Sequence, residues 1–71
     1  MDLPTLKIVV NDAERVVSRG CSVEGLLADL RLESRFLAVE VNRRVIPRGD
    51  HRATLLSDGD RVEIVTLVGG G

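Results

Sequence analysis

Apolar residues fall along this chain in two periods, and the switches between them lay out its elements. Leu6-Lys7-Ile8-Val9-Val10 is rich in β-branched residues and predicts a strand. Asn11-Asp12 supplies turn chemistry, and Glu14-Arg15-Val16-Val17 continues as a second short strand, so the pair predicts a hairpin. Ser18 to Cys21 is a connection. The period then lengthens. Val23, Leu26, Leu27 and Leu30 fall at i, i+3, i+4 and i+7, one apolar face of a helix of roughly ten residues. Ser22 suits its N-cap, Glu24 its first turn, and Arg31 the negative end of its dipole. Gly25 in the helix costs about 1 kcal/mol relative to alanine, which close packing on a sheet would explain.

Phe36-Leu37-Ala38-Val39-Glu40-Val41 predicts a third strand and Asn42-Arg43-Arg44 a turn. Val45-Ile46 is a short strand stopped by Pro47, which suits a sheet edge because proline has no N–H for the ladder. Arg48 to Thr54 is polar and irregular. Leu56-Ser57-Asp58-Gly59-Asp60 turns the chain into a final strand over Arg61 to Val68, with Gly59 free to take positive φ. Alternation places Val62, Ile64, Thr66 and Val68 on one face of that strand and Arg61, Glu63, Val65 and Leu67 on the other. With Val62 and Ile64 assigned to the core, Val65 and Leu67 lie on the open face as a docking patch. The element order is β-β-α-β-β-β, an α+β layer in which one helix covers one face of a sheet. One domain over residues 1–68 and a glycine tail over 69–71 account for the whole sequence.

Composition narrows the function classes. At 71 residues the chain makes one small domain, and Phe36 is its sole aromatic, which the core needs. Ordering costs roughly 1.5 kcal/mol per residue, so nearly all of so short a chain serves folding and little remains for a deep substrate pocket. A carrier or binding module is favoured over a self-sufficient enzyme. The net charge of −1 gives no strong field toward nucleic acid or an anionic membrane. Cys21 is the only cysteine, which precludes an intrachain disulfide and a cysteine metal cluster and fits a cytoplasmic setting. Asp2 and Pro4 interrupt the N-terminus, so no secretory leader is expected, and no apolar run reaches membrane-spanning length.

Most candidate chemistry fails on inspection. Gly20 and Gly25 have the spacing of a phosphate loop's glycines, but Leu26-Leu27 stands where lysine and a hydroxyl residue are required. His51 is the single histidine and has no second ligand clustered near it, so no metal site is expected. Cys21 precedes a helix N-terminus, yet no base lies nearby to activate it, and it reads as a small turn residue. Arg43, Arg44, Arg48 and Arg52 cluster as a solvated face, a docking face for an acidic partner, or an RNA patch; the last lacks the aromatic stacking that base recognition uses. The remaining feature is Gly69-Gly70-Gly71. Three residues without Cβ make a thin tail that threads a narrow channel and presents an unhindered carboxylate at Gly71. Taken alone, the glycines read equally well as a frayed end.

Several segments taken in order resolve that ambiguity. They are the first hairpin with Asn11, Ser22-Val23-x-x-Leu26-Leu27, Ala38-Val39-Glu40-Val41-Asn42, Val45-Ile46-Pro47-Arg48, the run Leu56 to Val65, and Val68-Gly69-Gly70-Gly71. Together they resemble the sulfur carriers of thiamine biosynthesis, the ThiS family of ubiquitin-like β-grasp proteins, over essentially the whole length. Departures are confined to turns, where Asn11-Asp12 and Asn42-Arg43 replace the common Asn-Gly, and to Gly25. The resemblance implies a mixed five-stranded sheet packed on one helix. It implies that an E1-like, ThiF-type adenylyltransferase uses ATP to adenylate the Gly71 carboxylate. A cysteine desulfurase or other persulfide donor then supplies sulfur for a thiocarboxylate, and a ThiG-type thiazole synthase takes that sulfur. The chain itself would be a monomer, would bind no cofactor, metal, nucleic acid or membrane, and would act as substrate. Gly69 and Gly70 would be the channel-threading spacer, with Val65 and Leu67 docking beside them. Carriage toward molybdopterin or tRNA thiolation, a protein modifier, and a non-covalent β-grasp interaction module are the competing readings.

Overall fold

The computed structural model describes residues 4–66. β1 (Thr5–Val10) and β2 (Ala13–Ser18) form the expected hairpin, closed by Asn11 and Asp12 at φ +48° and +70°. Two successive left-handed residues make the turn that best matches strand twist, and asparagine and aspartate tolerate it. The helix α1 (Val23–Asp29) comes next, with the Ser22 hydroxyl accepting from the Gly25 N–H at 3.0 Å. β3 (Leu37–Val41), β4 (Arg44–Val45) and β5 (Arg61–Thr66) complete the sheet. Strand order is β2-β1-β5-β3-β4; β1 and β5 run parallel and every other neighbour is antiparallel. This is the mixed five-stranded sheet on one helix expected of a β-grasp fold.

The core lies between α1 and one sheet face. Val23, Leu26 and Leu27 from the helix meet Leu6, Ile8, Val17, Leu37, Val39 and Val62, with Leu56 closing the layer. Each of these buried aliphatics contributes about 1.5–3 kcal/mol relative to exposure, which anchors a helix too short to persist alone. The helix N-terminus is also held by the 48–56 loop. The N–H of Val23 donates to the Thr54 carbonyl and that of Glu24 to the His51 carbonyl, so orphan helix donors are satisfied from a distant segment.

Several expectations need correction. The helix is seven residues long and ends at Asp29, shorter than expected, with Leu30 as C-cap and Arg31 at φ +59° turning the chain just past its C-terminus. Phe36 is 45% exposed in a 3-10 turn at Ser34–Phe36 and is not a core residue. Leu37, Val39 and Val41 take the inward positions of β3 with period 2, and Phe36 falls out of phase with them. The edge strand starts at Arg44, one residue earlier than expected, because Asn42 and Arg43 adopt φ +52° and +68° and close a two-residue turn. Gly25 is not explained by packing on the sheet: a Cβ there meets only the Cys21 Sγ at 3.4 Å and the Ser22 Oγ at 3.5 Å.

Candidate functional site

β5 is the central strand, between β1 and β3, and it leads toward the glycines. Its start is fastened by the Ser57-Asp58-Gly59-Asp60 turn. Asp58 Oδ1 accepts from the Lys7 N–H at 2.8 Å, and the Gly59 N–H, at φ +86°, donates to the Lys7 carbonyl at 2.8 Å. Asp60 Oδ2 accepts from the Ser57 N–H at 2.7 Å, and Asp60 Oδ1 accepts from Asn42 Nδ2 at 2.9 Å. Asn42 Oδ1 in turn accepts from the Arg61 N–H at 2.9 Å. On the other flank β1 turns away after Val10, and the Asn11 side chain takes over its ladder. Asn11 Oδ1 accepts from the Ile64 N–H at 2.7 Å, and Nδ2 donates to the Ile64 carbonyl at 3.2 Å. A side-chain amide thus replaces a peptide group, so β5 stays bonded past the end of β1.

The open face of the strand is as alternation predicts. Val62 is fully buried and Ile64 packs against the core, while Val65 is 54% exposed. Val65 pairs across the sheet with Ala38, and Thr66 with Leu37. Phe36, immediately before Leu37, therefore stands at the end of the sheet from which β5 departs. The Arg35 guanidinium lies 4.8 Å above its ring, a cation–π contact at the surface. Sequence reasoning missed Phe36 here, although strict alternation from Leu37, Val39 and Val41 would have found it. Leu67, Gly69, Gly70 and Gly71, and the expected boundary after Val68, lie outside the described residues.

Other candidates take structural places. Burial, with a lesser contribution from the Asp29 carboxylate, pushes the Cys21 thiol above its ordinary value, so it is a weak nucleophile at neutral pH. Its Sγ lies 3.4 Å from the Ser22 carbonyl. His51 is in the loop as expected but is almost wholly buried; its Nε2 bonds the Ile46 carbonyl at 3.0 Å and so carries the proton, leaving Nδ1 unpartnered. Among the described residues no three His, Cys, Asp or Glu side chains gather as a metal would require, and no helix is long and apolar enough to cross a membrane.

A strand clamped on both flanks, with exposed apolar side chains beside its exit, suits presentation of the chain segment beyond it. Known proteins share this fold and sequence. A solved structure of a thiamine biosynthesis protein (ThiS) from Geobacter metallireducens superposes with a TM-score of 0.80 at 32% identity, covering 93% of this chain and 100% of that one. The sulfur carrier protein ThiS of Bacillus subtilis is 38% identical over 50 residues, 70% of this chain and 76% of the carrier. A thiazole synthase of Paramagnetospirillum magneticum is 41% identical over 66 residues, which are 93% of this chain and only 20% of that protein. The chain thus spans about a fifth of the length of that relative. The sequence profile of the ThiS family matches residues 5–71, and the chain belongs to the ThiS family.

Proposed function

We propose that this chain is a cytoplasmic sulfur carrier for thiamine biosynthesis, with Gly71 as the site of modification. An E1-like adenylyltransferase uses ATP to convert the Gly71 carboxylate to an acyl-adenylate and releases pyrophosphate. A persulfide sulfur then attacks the carbonyl, adenylate leaves, and reduction of the sulfur–sulfur bond by a thiol leaves the thiocarboxylate. Thiazole synthase takes that sulfur. A free carboxylate is a poor electrophile until it carries a good leaving group, and glycine leaves its carbonyl open to attack. This chain binds no cofactor in that scheme; the activating partner holds the ATP.

The observation that carries the reading is family membership through residue 71, joined to a central strand held on both flanks as far as Ile64. The relative named thiazole synthase, within which a stretch similar to this chain forms a fifth of the protein, supports thiazole synthase as the acceptor. Val65, Leu67 and the exposed ring of Phe36 form the docking surface, and Gly69 and Gly70 the spacer that enters the partner's channel. Complementation of a bacterial strain lacking its own carrier tests this. The intact chain restores growth without thiazole, and chains lacking Gly71 or extended by one residue do not. Growth supported equally by the shortened or extended chain would sink the proposal.

A further inference from the structure

The chain's charge is unevenly placed. Residues 41–57 carry Arg43, Arg44, Arg48 and Arg52 against Asp50 alone, a balance of +3, so the rest of the net −1 chain sums to −4. All four arginines are exposed, and none is in an ion pair among the described residues. Arg43 and Arg44 stand at one end of the sheet, and Thr54, two residues after Arg52, lines the same cleft as Arg44, whereas Arg48 follows β4 beyond Ile46, which bonds Val39. Val41 pairs with Val62 at the start of β5, whereas Leu37 pairs with Thr66 at its far end, so the Asn42-Arg43 turn and the exit toward the glycines lie about 15 Å apart along the strand. An open cleft of about 360 Å3 sits at this arginine end. Val41 and Ile46 give it an apolar floor, and Arg44, Asn42 and Thr54 a polar rim. The loop behind it is fixed by His51, which holds the Ile46 carbonyl through its ring and the helix N-terminus through its own carbonyl.

We infer that this end of the sheet is a second docking site, remote from the glycines, for an acidic segment of a partner protein. Guanidinium groups pair with carboxylates in forked, two-bond geometry, and the apolar floor accepts an aliphatic side chain between them. An acidic protein segment fits better than RNA: the one aromatic ring among residues 41–57, the His51 imidazole, is buried and out of reach of bases, and the −4 remainder repels a polyanion long enough to leave the patch. Electrostatic docking of this kind speeds encounter more than it tightens the final complex. It would let the tail be found and released quickly.

The partner used in the test is the activating enzyme of the carrier reading, and the choice of partner rests on that reading. Association of the chain with the E1-like enzyme is followed by stopped flow at several salt concentrations, for the parent and for R44E/R48E/R52E. Arg43 is spared because its backbone sits at φ +68°, where a change of side chain also alters turn strain. An unchanged melting temperature of the variant confirms folding. The site predicts an association rate lower by about tenfold and a flattened salt dependence, with thiocarboxylate still formed at saturating enzyme. Equal rates and equal salt dependence, with thiocarboxylate formed by both proteins, would overturn the second site and leave the carrier reading standing. If an enzyme active on a known carrier thiolates neither protein, the carrier reading fails. The docking site is then decided by amide shifts on titration with hexaglutamate. Shifts confined to Asn42–Thr54 uphold it; shifts elsewhere, none, or tighter binding of single-stranded RNA at equal salt overturn it.

Discussion

Replacing Asn11 with glycine removes the amide that carries the β1 ladder onto Ile64, yet leaves the backbone free to hold φ +48°. Two hydrogen bonds are lost, each contributing roughly 0.5–1.5 kcal/mol net. Asn11 is exposed, so water replaces part of that and the expected cost is about 1–2 kcal/mol. Asn11→Ala loses the same bonds and also forces a Cβ residue into the left-handed region, for about 1 kcal/mol more. The order of stability is therefore parent, then glycine, then alanine. For a domain of this size each kcal/mol moves the melting temperature by roughly 4–8 °C. Urea denaturation monitored by far-UV circular dichroism gives the free energies, and amide hydrogen exchange localises them, with the Ile64 N–H losing protection in both variants. A glycine variant within about 0.3 kcal/mol of the parent, with Ile64 still protected, would refute the claim that this amide holds the strand, since even one typical bond exceeds that.

The same contacts set other outcomes. Gly25→Ala stabilises the protein by about 0.5–1 kcal/mol in urea melts, because the new Cβ meets Cys21 and Ser22 only at ordinary contact distance; a loss would show that neither neighbour can yield to it. His51→Ala costs about 2–4 kcal/mol, from the emptied volume and the abandoned Ile46 carbonyl, and a cost below about 1 kcal/mol would deny the residue its bracing role. The Cys21 thiol is raised from 9.0, so the folded protein holds this proton more tightly than the unfolded chain. The associated stability is intact below that value and is lost as pH rises through the folded one. Iodoacetamide at pH 8 accordingly alkylates the folded protein more slowly than the urea-unfolded chain, and equal rates would contradict the raised pKa.

Most of the architecture was legible because period and turn chemistry agreed. Two β-branched runs around Asn11-Asp12 could close only one way, and the i, i+3, i+4, i+7 spacing from Val23 fixed the helix face that meets the sheet. The Ser57-Asp58-Gly59-Asp60 segment was recognisable as a pattern, while its reason became visible only in space: it laces β5 to β1 and, through Asn42, to β3. Side-chain bonds across 53 positions, such as Asn11 to Ile64, leave no periodic trace. Phe36 was misjudged because aromatic residues are usually needed inside a small core, and here ten aliphatics among the described residues fill it without the ring. His51 was seen as a loop residue, but its burial depends on the loop folding back over Ile46. Of the candidate site, the open-face position of Val65 was readable from alternation alone.

The measurement closest to the central claim is the intact mass of the purified chain after incubation with ATP, an E1-like adenylyltransferase and a persulfide donor. The expected product has gained the mass of one sulfur in place of one oxygen, localised by fragmentation to Gly71 and dependent on ATP. An unchanged mass, under conditions where the same enzymes thiolate the Bacillus subtilis carrier, would contradict it.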